Sequence, residues 1–280
     1  MIEFPEYKQY GGETKIALMD NSAISFLEQL EHSGYSSKPL LNIYDAILIP
    51  QWVMVEVKDS EYRCNYVRKL RSEGFPVFTI REEDYTSLAD FEEINLYKIV
   101  QAVSSKLAAL KSYLHRHVEK PDLLDLPDYK EWISKMYSEW PIQGETTGNG
   151  RTKKKNAGEI SLTVLAEIMS WYYPQTEMVT VYTQDRDALE FQTSAHKSLE
   201  AVFNERTPVE ISYKSNDVLL YQLYRDEKID LENVKRLRKD ERVVIYTKER
   251  PDQAVALITK KLDNEHFAEV IRDKSVQIIF

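Results

Sequence analysis

Residues 15–22 read Lys-Ile-Ala-Leu-Met-Asp-Asn-Ser, so four apolar residues run directly into an acid and two small polar residues. A short apolar run of this kind predicts a buried strand, and Asn21 and Ser22 can cap the helix that follows. Similar runs predict four more strands: Ala46 to Ile49, Phe75 to Ile80, Met178 to Tyr182 and Val209 to Tyr213. Because helical segments separate them, we expect an α/β three-layer sandwich with a central, mostly parallel sheet.

Two stretches depart from this alternation. Between residues 84 and 150, a helical stripe has no strand beside it: Ile99, Val103, Leu107, Leu110 and Leu114. We expect a helical insertion in a domain of residues 1–230, packed on that domain or on a second copy and ending in a mobile loop from Gly144 to Lys155. Residues 231–280 predict a small C-terminal α/β appendage with two strands, Val243 to Tyr246 and Val276 to Phe280, and a helix at Gln253 to Leu262.

The composition sets further bounds. Hydrophobic residues make up 42% of the 280 residues, which is enough for a packed core. Cys64 is the single cysteine and cannot form an internal disulfide, and no apolar run approaches the roughly 18 residues of a membrane span. We therefore expect a cytoplasmic protein without membrane contact. The net charge of −9 disfavours a passive nucleic-acid coating protein, but an enzyme that holds cations concentrates carboxylates.

Asp20 lies where a sheet of this class binds ligands, and Glu56 lies among apolar residues. Asp20 directly follows the first strand, and ligands bind beyond the carboxyl ends of parallel strands. A helix cap is the commoner explanation for Asp20 considered alone. Glu56 lies in the mostly apolar run Pro50 to Glu56, where a carboxylate is costly unless it is paired or bound to a metal. The structural alternative is a half-exposed glutamate on the polar edge of a helix.

Glu159 follows Gly158 and opens an amphipathic helix, where an acid also stabilises the helix dipole. A basic run precedes it, which could contact phosphates or be a solvated loop: Arg151, Lys153, Lys154 and Lys155. Asp185 and Asp187 follow the strand that ends at Tyr182. Acids at such a position are often turn formers, but here they share the expected carboxyl edge with Asp20.

The order of these features is more specific than any one of them. Strand–Asp, strand–Pro–helix–Glu, Gly–Glu–helix and strand–Thr-x-Asp in succession resemble the PIN-domain nuclease family, from about Lys15 to Ile229. Small members of that family lack an insertion of this size and the tail after Ile229. The resemblance assigns the catalytic, metal-binding positions to four acids, Asp20, Glu56, Glu159 and Asp185. Asp187 matches an auxiliary acid, and Thr183 either hydrogen-bonds a ligating carboxylate or only ends the strand.

Such a set of hard oxygen ligands favours Mg²⁺ or Mn²⁺, which activates water for phosphodiester hydrolysis. We expect direct ligation by Asp20 and Asp185, and ligation through water or of a second ion by Glu56 and Glu159. Lys153 to Lys155 would steer the phosphate backbone. The predicted function is therefore a metal-dependent endoribonuclease with an RNA substrate, and the resemblance adds a toxin or defence effector with an inhibitory protein partner or a homo-oligomer.

Two other functions stay open from the sequence. One is a non-catalytic RNA- or protein-binding module, in which the acids are caps and solvated charges. The other is a structure-selective DNA nuclease. Convergence of Asp20 and Asp185 on one cleft is the geometric requirement of both nuclease hypotheses.

Overall fold

The computed structural model describes residues 4–117, 126–146, 150–249 and 255–280. Its strands, numbered along the chain, are β1 (Lys15–Met19), β2 (Ala46–Pro50), β3 (Val77–Ile80), β4 (Gln143–Thr146), β5 (Thr152–Lys154), β6 (Met178–Tyr182), β7 (Ile211–Lys214), β8 (Arg242–Glu249), β9 (Val255–Leu262) and β10 (Val276–Ile278). The helices are α1 (Asn21–His32), α2 (Lys38–Leu41), α3 (Gln51–Val57), α4 (Glu61–Ser72), α5 (Glu93–Ser104), α6 (Ala108–His117), α7 (Tyr129–Ser138), α8 (Ala157–Tyr172), α9 (Arg186–Leu199), α10 (Asn216–Arg225), α11 (Leu231–Leu237) and α12 (Asn264–Arg272). A 3₁₀ helix covers Glu82–Leu88.

The central sheet has the order β3-β2-β1-β6-β7, and every pairing in it is parallel. Ile16 to Met19 are all buried, although alternate residues of a strand point to opposite faces. Helices therefore cover both faces, and the predicted three-layer α/β sandwich is confirmed. Within the described ranges, none of the helices is long and apolar enough to cross a membrane.

The insertion packs on this core through its helices, since α5 contacts α8 and α9. Ile99, Val103, Leu110 and Leu114 of the expected apolar stripe are buried, and Leu107 is half-buried. The stripe is divided between two helices, because α5 ends at Ser104 and α6 begins at Ala108. A turn separates them, in which the backbone N–H of Leu107 donates to the carbonyl of Ser104 at 3.0 Å. The turn follows two serines, which favour a helix interior less than the leucines around them do.

The expectation of a loop between Gly144 and Lys155 is wrong for the residues of β4 and β5. β4 and β5 pair there as a two-stranded antiparallel ribbon, with Gln143 opposite Lys154 and Thr146 opposite Thr152. Residues 147–149 between the strands lie outside the described residues. The ribbon contacts α3 and α7 through its side chains, and those tertiary contacts explain why polar local sequence adopts an extended form.

The C-terminal residues form a three-stranded antiparallel sheet, β10-β8-β9, with α11 and α12. The helix expected at Gln253 to Leu262 is wrong, because Val255–Leu262 is strand β9 and residues 253 and 254 are outside the described ranges. β9 pairs with β8 along its full length, from Glu249 opposite Val255 to Arg242 opposite Leu262. The helix of this unit follows instead, at Asn264–Arg272.

Candidate active site

Asp20 and Asp185 lie at the carboxyl ends of two adjacent strands of the central sheet. Met19 of β1 pairs with Tyr182 of β6, and the backbone N–H of Asp20 donates to the carbonyl of Tyr182 at 2.9 Å. Each acid is then the N-cap of the helix that follows its strand, α1 or α9. The parallel pairing therefore brings together two acids that are far apart in the sequence.

Ser22 and Thr183 bind one oxygen of the buried Asp20 side chain. Oδ2 accepts hydrogen bonds from the Ser22 hydroxyl at 2.5 Å and the Thr183 hydroxyl at 3.1 Å, and from the Ser22 backbone N–H at 3.3 Å. Thr183 also accepts a bond from the backbone N–H of Asp185 at 3.0 Å, so it joins the two acids. This network fixes the orientation of the carboxylate and leaves Oδ1 free of these donors.

Glu56 of α3 is arranged in the same way. Its Oε2 accepts a hydrogen bond from the Asn21 amide at 3.3 Å. A methyl group placed on the Cα of Gly158 would lie 3.7 Å from Glu56 Oε1 and 3.9 Å from Asp20 Oδ1. The free oxygens of both carboxylates therefore lie next to the space that Gly158 leaves open at the start of α8.

Electrostatics link the third and fourth acids to this pair. Burial, followed by the charges of Asp20, Asp185 and Glu56, raises the pKa of Glu159 to about 9. The pKa of Glu56 is also raised, by burial and then by the charge of Asp20, and burial raises the pKa of Asp20. The four predicted acids share one region of strongly negative potential, which favours the binding of a positive charge.

The donors available at this cluster suit a hard divalent cation. The Oδ1 atom of Asn21 is buried beside the acids and has no hydrogen-bond partner, so a third oxygen acceptor adds to the two free carboxylate oxygens. Among the described residues, no three acidic, histidine or cysteine side chains lie close enough to hold a metal ion as they stand. Mutual repulsion keeps uncompensated carboxylates apart, so ligation by all four acids requires their side chains to reorient.

The side chain of Asp187 contacts the start of α8, and its backbone contacts Asp185. Its Oδ2 accepts a hydrogen bond from the Asn156 amide at 3.4 Å, and its backbone N–H donates to Asp185 Oδ1 at 2.9 Å. Asn156 has a left-handed backbone with φ of 63° and precedes Gly158 and Glu159. It therefore turns the chain from β5 into α8 at the site.

The four members of the basic run have different surroundings. Arg151 donates to the Val55 carbonyl at 3.0 Å and to Asp59 at 3.2 Å, at the end of α3. Lys154 binds the backbone of α7 and lies 4.4 Å from the ring centre of Tyr137. The charge of Lys153 lowers the pKa of Glu56, against the raising effect of burial, which places Lys153 near the acids. Lys155 is exposed.

Sequence reasoning missed several members of this site. Asn21 and Ser22 were expected only to cap α1, whereas Ser22 holds Asp20 and Asn21 holds Glu56. Gly158 was expected only to precede Glu159. The available signal was their position, because each adjoins a predicted acid in the sequence. Comparisons with protein-family models, with curated proteins and with solved structures find no match for this chain.

Proposed function

We propose that this protein is a metal-dependent endoribonuclease that hydrolyses RNA phosphodiester bonds, with a fold and acid set similar to those of the PIN-domain family. The observation that carries the proposal is that two carboxylate oxygens, Asp20 Oδ1 and Glu56 Oε1, lie within 4 Å of the position that a Cβ atom on Gly158 would take. Two carboxylates that are each fixed through one oxygen, with the other left open, are suited to hold a cation.

The proposed roles of the residues are those that the resemblance to the PIN-domain family implies. Asp20 and Asp185 would ligate Mg²⁺ or Mn²⁺ directly, and Glu56 and Glu159 would do so through water or at a second ion. A bound divalent cation lowers the pKa of a coordinated water and neutralises charge on the phosphate. Thr183 and Ser22 hold the Asp20 carboxylate in place, and Asn21 holds Glu56. Lys153, near Glu56, supplies positive charge for the approaching RNA backbone.

The test is a cleavage assay on structured and unstructured RNA, with single-stranded and flap DNA beside them. We expect Asp20→Asn and Asp185→Asn to abolish cleavage with unchanged folding, because the amide keeps the shape of the carboxylate but removes its charge. Excess EDTA should have the same effect on the wild type, and Mg²⁺ or Mn²⁺ should reverse it. Ca²⁺ should bind but support little cleavage, because its looser coordination positions water poorly.

A control variant on the same helix is Glu28→Gln, which changes the same charge away from the acids and should cleave normally. Melting curves of every variant exclude unfolding. Full activity in excess EDTA, or in a folded Asp20→Asn protein, would contradict the proposal. A folded wild type that shows no calorimetric Mn²⁺ binding and cleaves none of the substrates would instead support a non-catalytic module. Cleavage of DNA alone would support a DNA nuclease.

A further inference from the structure

A groove with a volume of about 1020 Å³ lies on the side of α3 opposite the acids. Gln51, Met54 and Lys58 line it, and their helical spacing places them on one face of α3. Val53 and Glu56 lie on the other face, toward Gly158. One short helix therefore separates the groove from the proposed catalytic site.

The groove and the acids also lie at the same edge of the central sheet. Gln51 directly follows β2 and Arg81 directly follows β3, whereas Asp20 and Asp185 follow β1 and β6. All these strands are parallel, so all four residues stand at carboxyl ends. A polymer bound at the acids can continue along this edge, across α3, into the groove.

The charges of the groove suit a phosphate group. Lys58 and Arg68 line it, and neither forms an ion pair with any described residue. The Nε atom of Arg68 is buried without a hydrogen-bond partner, so one of its donors lacks an acceptor.

The acidic residues of the groove are partly compensated. Glu6 lies 3.7 Å from Arg81, and Glu83 accepts a hydrogen bond of 2.6 Å from Ser134. The third acid, Glu61, is exposed in the first turn of α4. The two unpaired cations therefore remain available to an anion.

The remaining wall suits a planar, partly polar group. Phe4 contributes an aromatic side chain, and Gln51 and Thr79 add an amide and a hydroxyl that can hydrogen-bond a base. Proteins that bind unpaired nucleic acid combine aromatic platforms for the bases with positive charge for the backbone. The groove presents both features within a volume that exceeds that of a single nucleotide.

We propose that the groove binds a nucleotide of a single-stranded RNA that extends from the acids across α3, with its phosphate at Lys58 and Arg68 and its base against Phe4. The inference rests on the proposed nuclease function and specifies its substrate as unpaired RNA. It assigns two roles to α3, since one face carries Glu56 and the other face contacts the RNA strand.

The experiment measures binding without cleavage. Fluorescein-labelled single-stranded RNA is titrated with the full chain in EDTA at several salt concentrations, and binding is followed by anisotropy. The variants are Lys58→Gln with Arg68→Gln together, and Phe4→Leu alone. The matched control is Lys106→Gln with Lys197→Gln, which removes the same charge from a different surface depression, beside α9. Melting curves confirm that each variant is folded.

We expect the groove double variant to bind at least about tenfold more weakly at low salt. Its plot of log affinity against log salt should be shallower by about 0.7, because both cations contact one phosphate and each phosphate contact to a single strand contributes about 0.7. Phe4→Leu should weaken binding by about tenfold, and less so for RNA lacking a base at the bound position. The control should leave affinity and slope unchanged.

Equal losses in the groove variant and the control would overturn the proposal, because they would reflect overall charge alone. An unchanged salt slope in the groove variant would also overturn it. Since no cleavage is measured, the outcome is separate from that of the nuclease assay. RNA binding in the groove can persist where no cleavage occurs, and cleavage can occur without the groove.

Discussion

The two oxygens of Asp20 have different surroundings, so its role as a helix cap and its proposed role as a metal ligand do not exclude each other. Oδ2 accepts from the backbone of Ser22 and from two hydroxyls, which is the function of a cap. Oδ1 lies beside Gly158 without those donors. The cap therefore orients the free oxygen, and one residue can have both roles. A sequence pattern cannot distinguish them, because both require an acid at the same position.

Gly158 offers a test of the proposed cation position that does not alter any acid. Its backbone is not left-handed, and an added methyl would have its nearest contact at 3.4 Å, with Val53 Cγ2. We expect Gly158→Ala to fold normally and to gain up to about 0.5–1 kcal/mol, because alanine favours a helix. We also expect cleavage and Mn²⁺ affinity to fall at least about tenfold, because the methyl occupies the space between the free oxygens.

The measurements are thermal melting, Mn²⁺ calorimetry and the RNA cleavage assay on the same preparation. A Gly158→Ala protein that melts at or above the wild-type temperature but has lost metal binding would show that the substitution alters the cation position without destabilising the fold. Wild-type metal affinity in this variant would place the cation elsewhere.

At the scale of elements, α3 is held at both ends by the insertion. Near its start, Trp52 stacks on Tyr137 with ring centres 4.7 Å apart and meets Trp140 edge-on at 5.4 Å. At its end, Arg151 of the β4–β5 ribbon binds the Val55 carbonyl and Asp59. α3 has only seven residues, so these contacts determine where Glu56 stands.

Arg151 is therefore expected to act as a positioning residue for Glu56. Arg151→Gln should weaken Mn²⁺ binding about fivefold or more in the absence of RNA, because the end of α3 loses its anchor. A residue that only contacts phosphate would leave metal affinity without RNA unchanged. Lys155→Gln removes the same charge from an exposed neighbour and is the control for this calorimetric measurement. Equal metal affinities in the two variants would refute a positioning role.

Glu82 anchors the start of α3 from within the core and predicts a pH dependence. Its Oε1 accepts from the Trp52 backbone N–H at 2.9 Å and the Ser161 hydroxyl at 2.6 Å, while Oε2 has no partner. Burial raises the pKa of Glu82 from 4.5 to about 8. The folded state thus favours the neutral form of Glu82. Between pH 4.5 and about 8 the unfolded state loses the Glu82 proton more readily than the folded state does, so the free energy of unfolding falls as pH rises through this range.

Glu82→Gln keeps the acceptor oxygen and cannot ionise. We expect it to be more stable than the wild type above pH 8 by an amount on the order of a few kcal/mol, with the difference largely lost below pH 4.5. Denaturant unfolding of both proteins across this range measures the effect. Because the acids at the site also have raised pKa values, the relevant quantity is the difference between the two proteins. A difference that does not change with pH would contradict the assignment.

Elements with strong local patterns were predictable, and those that depend on distant contacts were not. Met178–Tyr182 is apolar, short and buried on both faces, and its bounds match the prediction. β9 begins with four consecutive apolar residues, Val255 to Ile258, and has Thr259, Lys260 and Lys261 before Leu262, a mixture compatible with a helix. Its pairing with β8 decides the outcome, and pairing is not visible in the local sequence.

For the whole molecule, the convergence of the acids was predictable because topology requires it. Once strands are parallel and alternate with helices, the residues after β1 and β6 meet at one edge. The bond from Thr183 to Asp20, across 163 positions of the chain, was one of the two expected roles of Thr183. The bonds from the Ser22 hydroxyl to Asp20 and from the Asn21 amide to Glu56 were not predictable, because the local sequence shows Asn21 and Ser22 only as helix caps. The same limit applies to the contacts of the C-terminal unit, which include one buried charge cluster.

This cluster joins α10 to the C-terminal unit. Arg238 has no exposed surface and binds Asp217 at 3.0 Å, and Arg242 binds the same carboxylate at 2.5 Å. Arg238 also donates to the Leu262 carbonyl of β9 at 2.9 Å. A single buried acid on α10 therefore compensates two arginines of the unit that follows it.

Asp217→Asn should destabilise the protein by about 3–5 kcal/mol, because it leaves buried guanidinium charge without a counterion. Replacing Asp217 by Leu together with Arg238 by Met should cost less than the single change, since it removes both desolvated charges. Asp226→Asn, an exposed acid at the end of α10, should change stability by less than about 0.5 kcal/mol. Denaturant unfolding gives these free energies of unfolding.

Limited proteolysis shows which part of the protein unfolds first. If the cluster attaches the C-terminal unit, proteolytic cleavage of Asp217→Asn should begin within residues 231–280 while Mn²⁺ affinity stays at the wild-type value. Early cleavage within the central sheet would instead show that Asp217 stabilises the core itself.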